Sequence, residues 1–114
     1  MENIDDLKNK FIEAAIVYGE KAVNGNYKLA NKKADFLIET ARILRISEEG
    51  KDALKKLLQH ENPSVQLWAA ANCLPFYTDK SINVLNQIKR RDDFIGTSAG
   101  VTLDEWKEGK LKFD

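Results

Sequence analysis

The sequence is poor in the residues that usually announce a chemistry. Its 114 residues include one cysteine and one histidine. A lone cysteine excludes an internal disulfide and a cysteine-based zinc site; a lone histidine excludes a multi-histidine metal centre. No sign of charge is in excess: 18 Lys and Arg face 18 Asp and Glu, and the two halves are as balanced as the whole. A nucleic-acid binder ordinarily carries a basic excess. No apolar run approaches the ~20 residues needed to span a bilayer. The opening Met1-Glu2-Asn3-Ile4-Asp5-Asp6 is acidic, without the basic stretch and apolar core of a secretory signal. The expectation is a cytoplasmic protein with no membrane association, no metal and no cofactor.

Proline is nearly missing too, with Pro63 and Pro75 only, and strand-like alternation is almost absent. What is present is a globular balance, 43% hydrophobic and 32% charged. The length fits one domain over residues 1–114, large enough to bury roughly two-thirds of its unfolded surface.

Apolar residues recur at helical spacing through six segments. The first carries Ile4, Leu7, Phe11, Ala14, Ala15, Tyr18 and Ala22, and ends at Asn24-Gly25-Asn26, where glycine can take a left-handed stop. The second carries Tyr27, Ala30, Ala34, Leu37, Ile38, Ala41 and Leu44. Ser47 opens the third as an N-cap, with Glu48 and Glu49 in the first turn where the helix dipole favours anions. Its inward set is Ala53, Leu54, Leu57 and Leu58.

The fourth opens with Asn62 as cap and Pro63 at the first helical position. It is apolar nearly all round from Val65 to Leu74, which predicts a central, buried helix. The fifth runs from about Asp79 to Arg90, with Ile82, Leu85 and Ile88 inward. Asp92-Asp93 starts the sixth, which holds Ile95, Ala99, Leu103 and Trp106 and stops near Gly109. Beyond it, Lys110 to Asp114 reads as a frayed tail that Leu111 and Phe113 could dock.

The fourth and sixth segments match weakly at an offset of thirty. Val65 pairs with Ile95, Ala69 with Ala99, Cys73 with Leu103, and Asn62 with Asp92 as a cap. Repeated short helix pairs mark an α-solenoid, because one pair cannot bury its own apolar face. The predicted fold is all-α, a short HEAT/ARM-like α-α superhelix of about six antiparallel helices, three pairs stacked into a right-handed slab.

The run Glu61-Asn62-Pro63-Ser64-Val65-Gln66-Leu67-Trp68-Ala69-Ala70-Ala71-Asn72-Cys73-Leu74 resembles the first helix of a HEAT-like repeat, with Gln66 where an Arg is common. Together with Ser81-Ile82-Asn83-Val84-Leu85, Ile95-Gly96-Thr97-Ser98-Ala99 and Leu103-Asp104-Glu105-Trp106-Lys107-Glu108-Gly109, the stretch from Leu58 to Gly109 resembles the DUF2019 family of small bacterial domains. The resemblance covers a little under half the chain. It implies a HEAT/armadillo-like solenoid. Some relatives of this kind are immunity proteins that bind and block a secreted toxin domain.

No catalytic set emerges, and the chain is expected not to be an enzyme. His60 reads as a cation or cap at the end of the third helix, and Cys73 as a small core residue. Gly96-Thr97-Ser98-Ala99-Gly100 lacks the lysine and preceding strand of a phosphate loop and reads as close helix packing. Asp5-Asp6, Glu48-Glu49 and Asp92-Asp93 sit at helix starts, where the dipole accounts for them. Lys89-Arg90-Arg91 is the best basic cluster, with Asp92-Asp93 beside it to offset its field. Trp68 and Trp106 read as core or as partner anchors, and Tyr27 and Tyr77, near helix ends, as exposed.

The expected function is stoichiometric protein binding, specifically immunity against a cognate toxin domain by occlusion. The expected contacts lie on the third and fifth helices and nearby loops: Lys51, Lys55, Gln59, Tyr77, Asp79, Asn83, Asn86, Gln87 and Arg90. The alternatives are a HEAT-like nucleic-acid-binding module and a scaffold or cofactor-handling protein.

Overall fold

Local capping chemistry sets most of the helix starts. In the computed structural model, which describes residues 3–113, α1 spans Ile4–Val23 and is capped by the Asn3 side chain, which accepts from the Asp6 N–H. α2 spans Tyr27–Leu44, with Asn26 accepting from the Leu29 N–H. α3 spans Glu48–Lys56, capped by Ser47 on the Gly50 N–H, and runs into a 3-10 turn over Leu57–Gln59. α4 spans Pro63–Cys73, and the Asn62 carboxamide accepts from both Ser64 and Val65. α5 spans Thr78–Lys89, without a side-chain cap. α6 spans Phe94–Lys107. Met1, Glu2 and Asp114, the ends of the acidic opening and of the tail, lie outside the described residues.

Six helices and, among the described residues, no strand make the fold all-α. The turn after α1 contains Gly25 at φ 82°, the left-handed conformation expected of it. Short connections make α1 and α2, α3 and α4, and α5 and α6 neighbours in consecutive pairs. α4 touches α1, α3, α5 and α6, the central place its all-round apolarity predicts. α1, α4 and α6 also meet one another, which joins the first helix to the last.

One core runs through every helix. Phe11, Leu37, Leu54, Val65, Leu85 and Leu103, one from each, are all buried within it. The crossing of α1 over α4 is close because its residues are small. A Cβ on Gly19 would stand 2.7 Å from the Ser64 Cβ. Ser64 Oγ, buried there, donates to the Ala15 carbonyl at 2.6 Å, which satisfies its hydroxyl across the two helices. The radius of gyration is 13.0 Å, close to the roughly 13 Å of a compact chain of this length.

Two sequence expectations change. The cap of α6 is Asp93, not Asp92: its carboxylate accepts from the Gly96 N–H at 3.0 Å, and Asp92 is exposed. The offset between the two caps is therefore one residue longer than the offset between the core residues. Ile38, read with the apolar stripe of α2, is more than half exposed. Tyr27, at the start of that helix, is exposed as expected. His60 is the cap expected at the end of the third helical segment, and its Nδ1 also accepts from the Asn62 N–H at 3.0 Å, which braces the start of α4.

Candidate protein-binding surfaces

The residues expected to bind a partner fall into two groups. Lys51 and Lys55 on α3 come together with the loop after α4. Lys55 Nζ stands 5.0 Å from the Tyr77 ring and 6.0 Å from Phe76, and Lys51 Nζ stands 5.5 Å from Phe76. Each lysine also pairs one turn back along its own helix, Lys51 with Glu48 at 3.5 Å and Lys55 with Asp52 at 3.7 Å. Both charges are already met locally, so this cluster presents mainly the Tyr77 ring and neutral pairs. Asp79, Asn83, Asn86, Gln87 and Arg90 are exposed along α5, and Gln59 is exposed at the end of the 3-10 turn. Gln87 borders a shallow cleft with Glu61, Gln66 and Arg91.

The basic cluster is divided. Arg91 forms a two-pronged contact with Asp93, 2.7 Å at its shortest, while the Lys89 stem lies against Gly100. Arg91 and the Gly96 N–H hold the Asp93 carboxyl below the ordinary carboxylate range. Cys73 is fully buried, and burial pushes its thiol up to about 12, which removes the thiolate that a nucleophile needs. Within the run Gly96 to Gly100, Ala99 is buried in the core, while Gly96 faces the Arg91 carbonyl of its own entry loop, where a Cβ would lie at 2.2 Å.

A second surface was not anticipated from the sequence. Tyr27 and Ile38 on α2, and Phe94 and Val101 on α6, are large apolar side chains left exposed, at 55%, 58%, 38% and 50%. The Tyr27 and Phe94 rings lie 6.1 Å apart. Further along, Ile38 and Thr102 line one cavity of about 240 Å³ with Trp68 and Ala71 of α4. α2 and α6 thus meet through Tyr27 and Phe94, and farther along both border this cavity, whose lining also includes Arg42, Arg45 and Asn72. Trp68 is half-buried at its floor, against Tyr18 in an edge-to-face contact at 5.2 Å. Burial beside that indole raises the Tyr18 hydroxyl pKa. The Trp68 indole N–H is buried with no acceptor. Trp68 thus packs on Tyr18 and lines the cavity.

The tail forms part of the cavity wall. Leu111, Lys112 and Phe113 line the cavity, and Leu111 packs against the core. Phe113 meets the Trp106 ring edge-on at 6.4 Å and lies under the Arg45 guanidinium at 5.2 Å. Arg45 in turn donates to Asn72, whose own amide donates to the Trp68 carbonyl. Among the described residues no group of His, Cys, Asp and Glu could hold a metal ion, and no helix is long and apolar enough to cross a membrane.

Fold and surface together define a small helical, repeat-like protein with large apolar side chains exposed on α2 and α6. No family profile matches the sequence, and no curated protein matches it. The solved protein RPA1889 from Rhodopseudomonas palustris CGA009 is similar in structure, with a TM-score of 0.86 and 22% sequence identity, over 100% of this chain and 96% of that one. At that identity the likeness concerns the fold.

Proposed function

We propose that this chain is a stoichiometric protein-binding module, and specifically an immunity protein that occludes a toxin domain. The observation that carries the binding reading is the set of large apolar side chains left in solvent on α2 and α6, Tyr27, Ile38, Phe94 and Val101. Scattered exposed apolar residues need no explanation, but Tyr27 and Phe94 meet ring to ring and Ile38 borders a cavity, and grouped apolar side chains mark an interaction site. Six helices fixed by one core lose little entropy on association, which favours tight binding. The immunity role and kinship with the DUF2019 domains rest on the sequence resemblance between Leu58 and Gly109, and a cytoplasmic location on the acidic opening and the short apolar runs.

The test is tagged purification from the native cell, with co-expression of the neighbouring gene. One partner at equal stoichiometry, toxic alone and silent with this chain, supports the proposal. A protein that retains nucleic acid with steep salt dependence, and captures no protein, overturns it.

A further inference from the structure

The tail after α6 is held to the body by its side chains rather than by its backbone. Gly109, at φ 70°, reverses the chain, and the Lys110 N–H closes on the Glu105 carbonyl at 2.8 Å. Beyond that bond, no backbone group of Leu111, Lys112 or Phe113 is hydrogen-bonded to another described residue. Alternate side chains make the contacts instead. Leu111 packs against the core, Lys112 is exposed, and Phe113 meets Trp106 of α6 and the Arg45 guanidinium. That guanidinium is itself positioned: it donates to the Asn72 carboxamide, which donates to the Trp68 carbonyl of α4. Arg45 is the C-cap residue of α2, so the tail ties the end of α2 to α4 and α6. It also covers apolar surface, because Leu111 and Phe113 line the cavity of about 240 Å³ that Ile38, Trp68 and Ala71 border. A segment with so few backbone hydrogen bonds opens far more readily than the helices beneath it. The pivot is free to turn, since a Cβ built on Gly109 meets nothing within 4 Å.

We propose that residues 110–113 form a detachable strap, an autoinhibitory contact that swings about Gly109. Seated, the strap closes one side of the cavity, shields Trp106 and pins the end of α2 through Arg45. Released, it uncovers apolar surface on α2, α4 and α6 without unwinding a helix. The inference concerns the chain's own segment and stands whether or not the protein-binding reading holds.

The experiment uses the full chain and a double variant, Leu111→Ser with Phe113→Ser, that unseats the strap. The double variant should keep the far-UV ellipticity and single urea transition of the parent while its tryptophan emission shifts to the red. The probe is the strap supplied in trans, acetyl-Gly-Lys-Leu-Lys-Phe-amide. It should bind the double variant saturably and reverse the red shift, whereas the same peptide with both apolar residues replaced by serine should not. A parent whose strap is seated about nine-tenths of the time binds the probe about tenfold more weakly, because only the open fraction is competent. Arg45→Gln in the double variant should weaken the probe about threefold, the loss of one cation–π contact. Unchanged emission in the double variant, or a probe that binds neither protein, overturns the proposal. So does equal binding to both, which places the probe elsewhere. Binding by the double variant but none by the parent at about a hundredfold more probe means that the tail does not open, and overturns it too. If the double variant does not fold, Phe113→Ser alone takes its place. A chain that unfolds with that single change holds the tail as part of its core, and the strap fails.

Discussion

At the residue scale, two side chains show how a small environment sets a property. Asp93 caps α6 and pairs with Arg91, while Asp92, one residue earlier, is exposed. Replacing a capping Asp by Ala costs about 1 kcal/mol, whereas Asn keeps an acceptor for the Gly96 N–H. Asp93→Ala should therefore lower the unfolding free energy measured in urea by that amount, Asp93→Asn by clearly less, and Asp92→Ala hardly at all. A larger effect at Asp92 would return the cap to that residue. The depressed Asp93 pKa adds a pH signature. Its contribution is present above the carboxyl's unfolded pKa and is lost as pH falls through the folded value. Its exposure keeps that contribution small.

Cys73 works in the opposite direction. Its thiol ionises near 9.0 in an open chain and near 12 here. Below pH 9 both states are protonated and the group is silent. Above it the unfolded state loses its proton first, so stability falls by up to about 1.4 kcal/mol per pH unit toward 12. Cys73→Ala should flatten that part of the stability curve relative to the parent. In the folded protein a thiol reagent should label Cys73 only as fast as the chain opens. Rapid labelling at neutral pH without unfolding would contradict the burial.

At the element scale, the helices whose starts are capped by a side chain were the most legible. Asn62-Pro63 and Ser47 act within one turn of the chain, so sequence alone carries their chemistry. α5 starts at Thr78 without a side-chain cap, and its predicted start at Asp79 was one residue late. The slip from Asp92 to Asp93 arose from assuming that caps repeat with the core. Lys51 and Lys55 looked like free contact residues, although Glu48 and Asp52 at three-residue spacing already signalled their pairing. The exposed flank of α2 left a fainter signal, because Ile38 beside Leu37 widens the apolar stripe without showing which side stays in solvent. Its neighbour was not legible, because Tyr27 meets Phe94 only through the tertiary arrangement.

The crossing of α1 and α4 is the element-level contact most sensitive to a single methyl. At Gly19 a Cβ would approach Ser64 Cβ to 2.7 Å, a separation that real side chains do not tolerate. Gly19→Ala gains helix propensity of about 1 kcal/mol but forces the helices apart, and overpacking of this kind costs about 1–3 kcal/mol. The net expectation is destabilisation. Ser64→Gly in the same chain removes the clashing Cβ, so the double variant should lose less than the two single losses added. A double-mutant cycle by urea unfolding measures the difference, and strict additivity would mean that the helices do not meet there.

At the scale of the whole molecule, the contact of α1 with α6 decides how the chain unfolds. In an extended solenoid each repeat touches only its neighbours, and stability divides along the axis. Here α1, α4 and α6 meet one another, and the core they share also holds Leu37, Leu54 and Leu85 of the other three helices. Removing any one helix exposes part of the surface on which the rest depend. The two tryptophans sit on α4 and α6, so their emission follows the central and last helices, while far-UV circular dichroism follows all six. The two signals should trace one urea transition with a common midpoint and a slope of about 1–2 kcal/mol/M. A separate early loss of ellipticity, with tryptophan emission unchanged, would mean that α1 and α2 detach as a unit. The three-helix contact would then be too weak to close the fold, and the cavity bordered by Ile38, Trp68 and Thr102 would lose one wall.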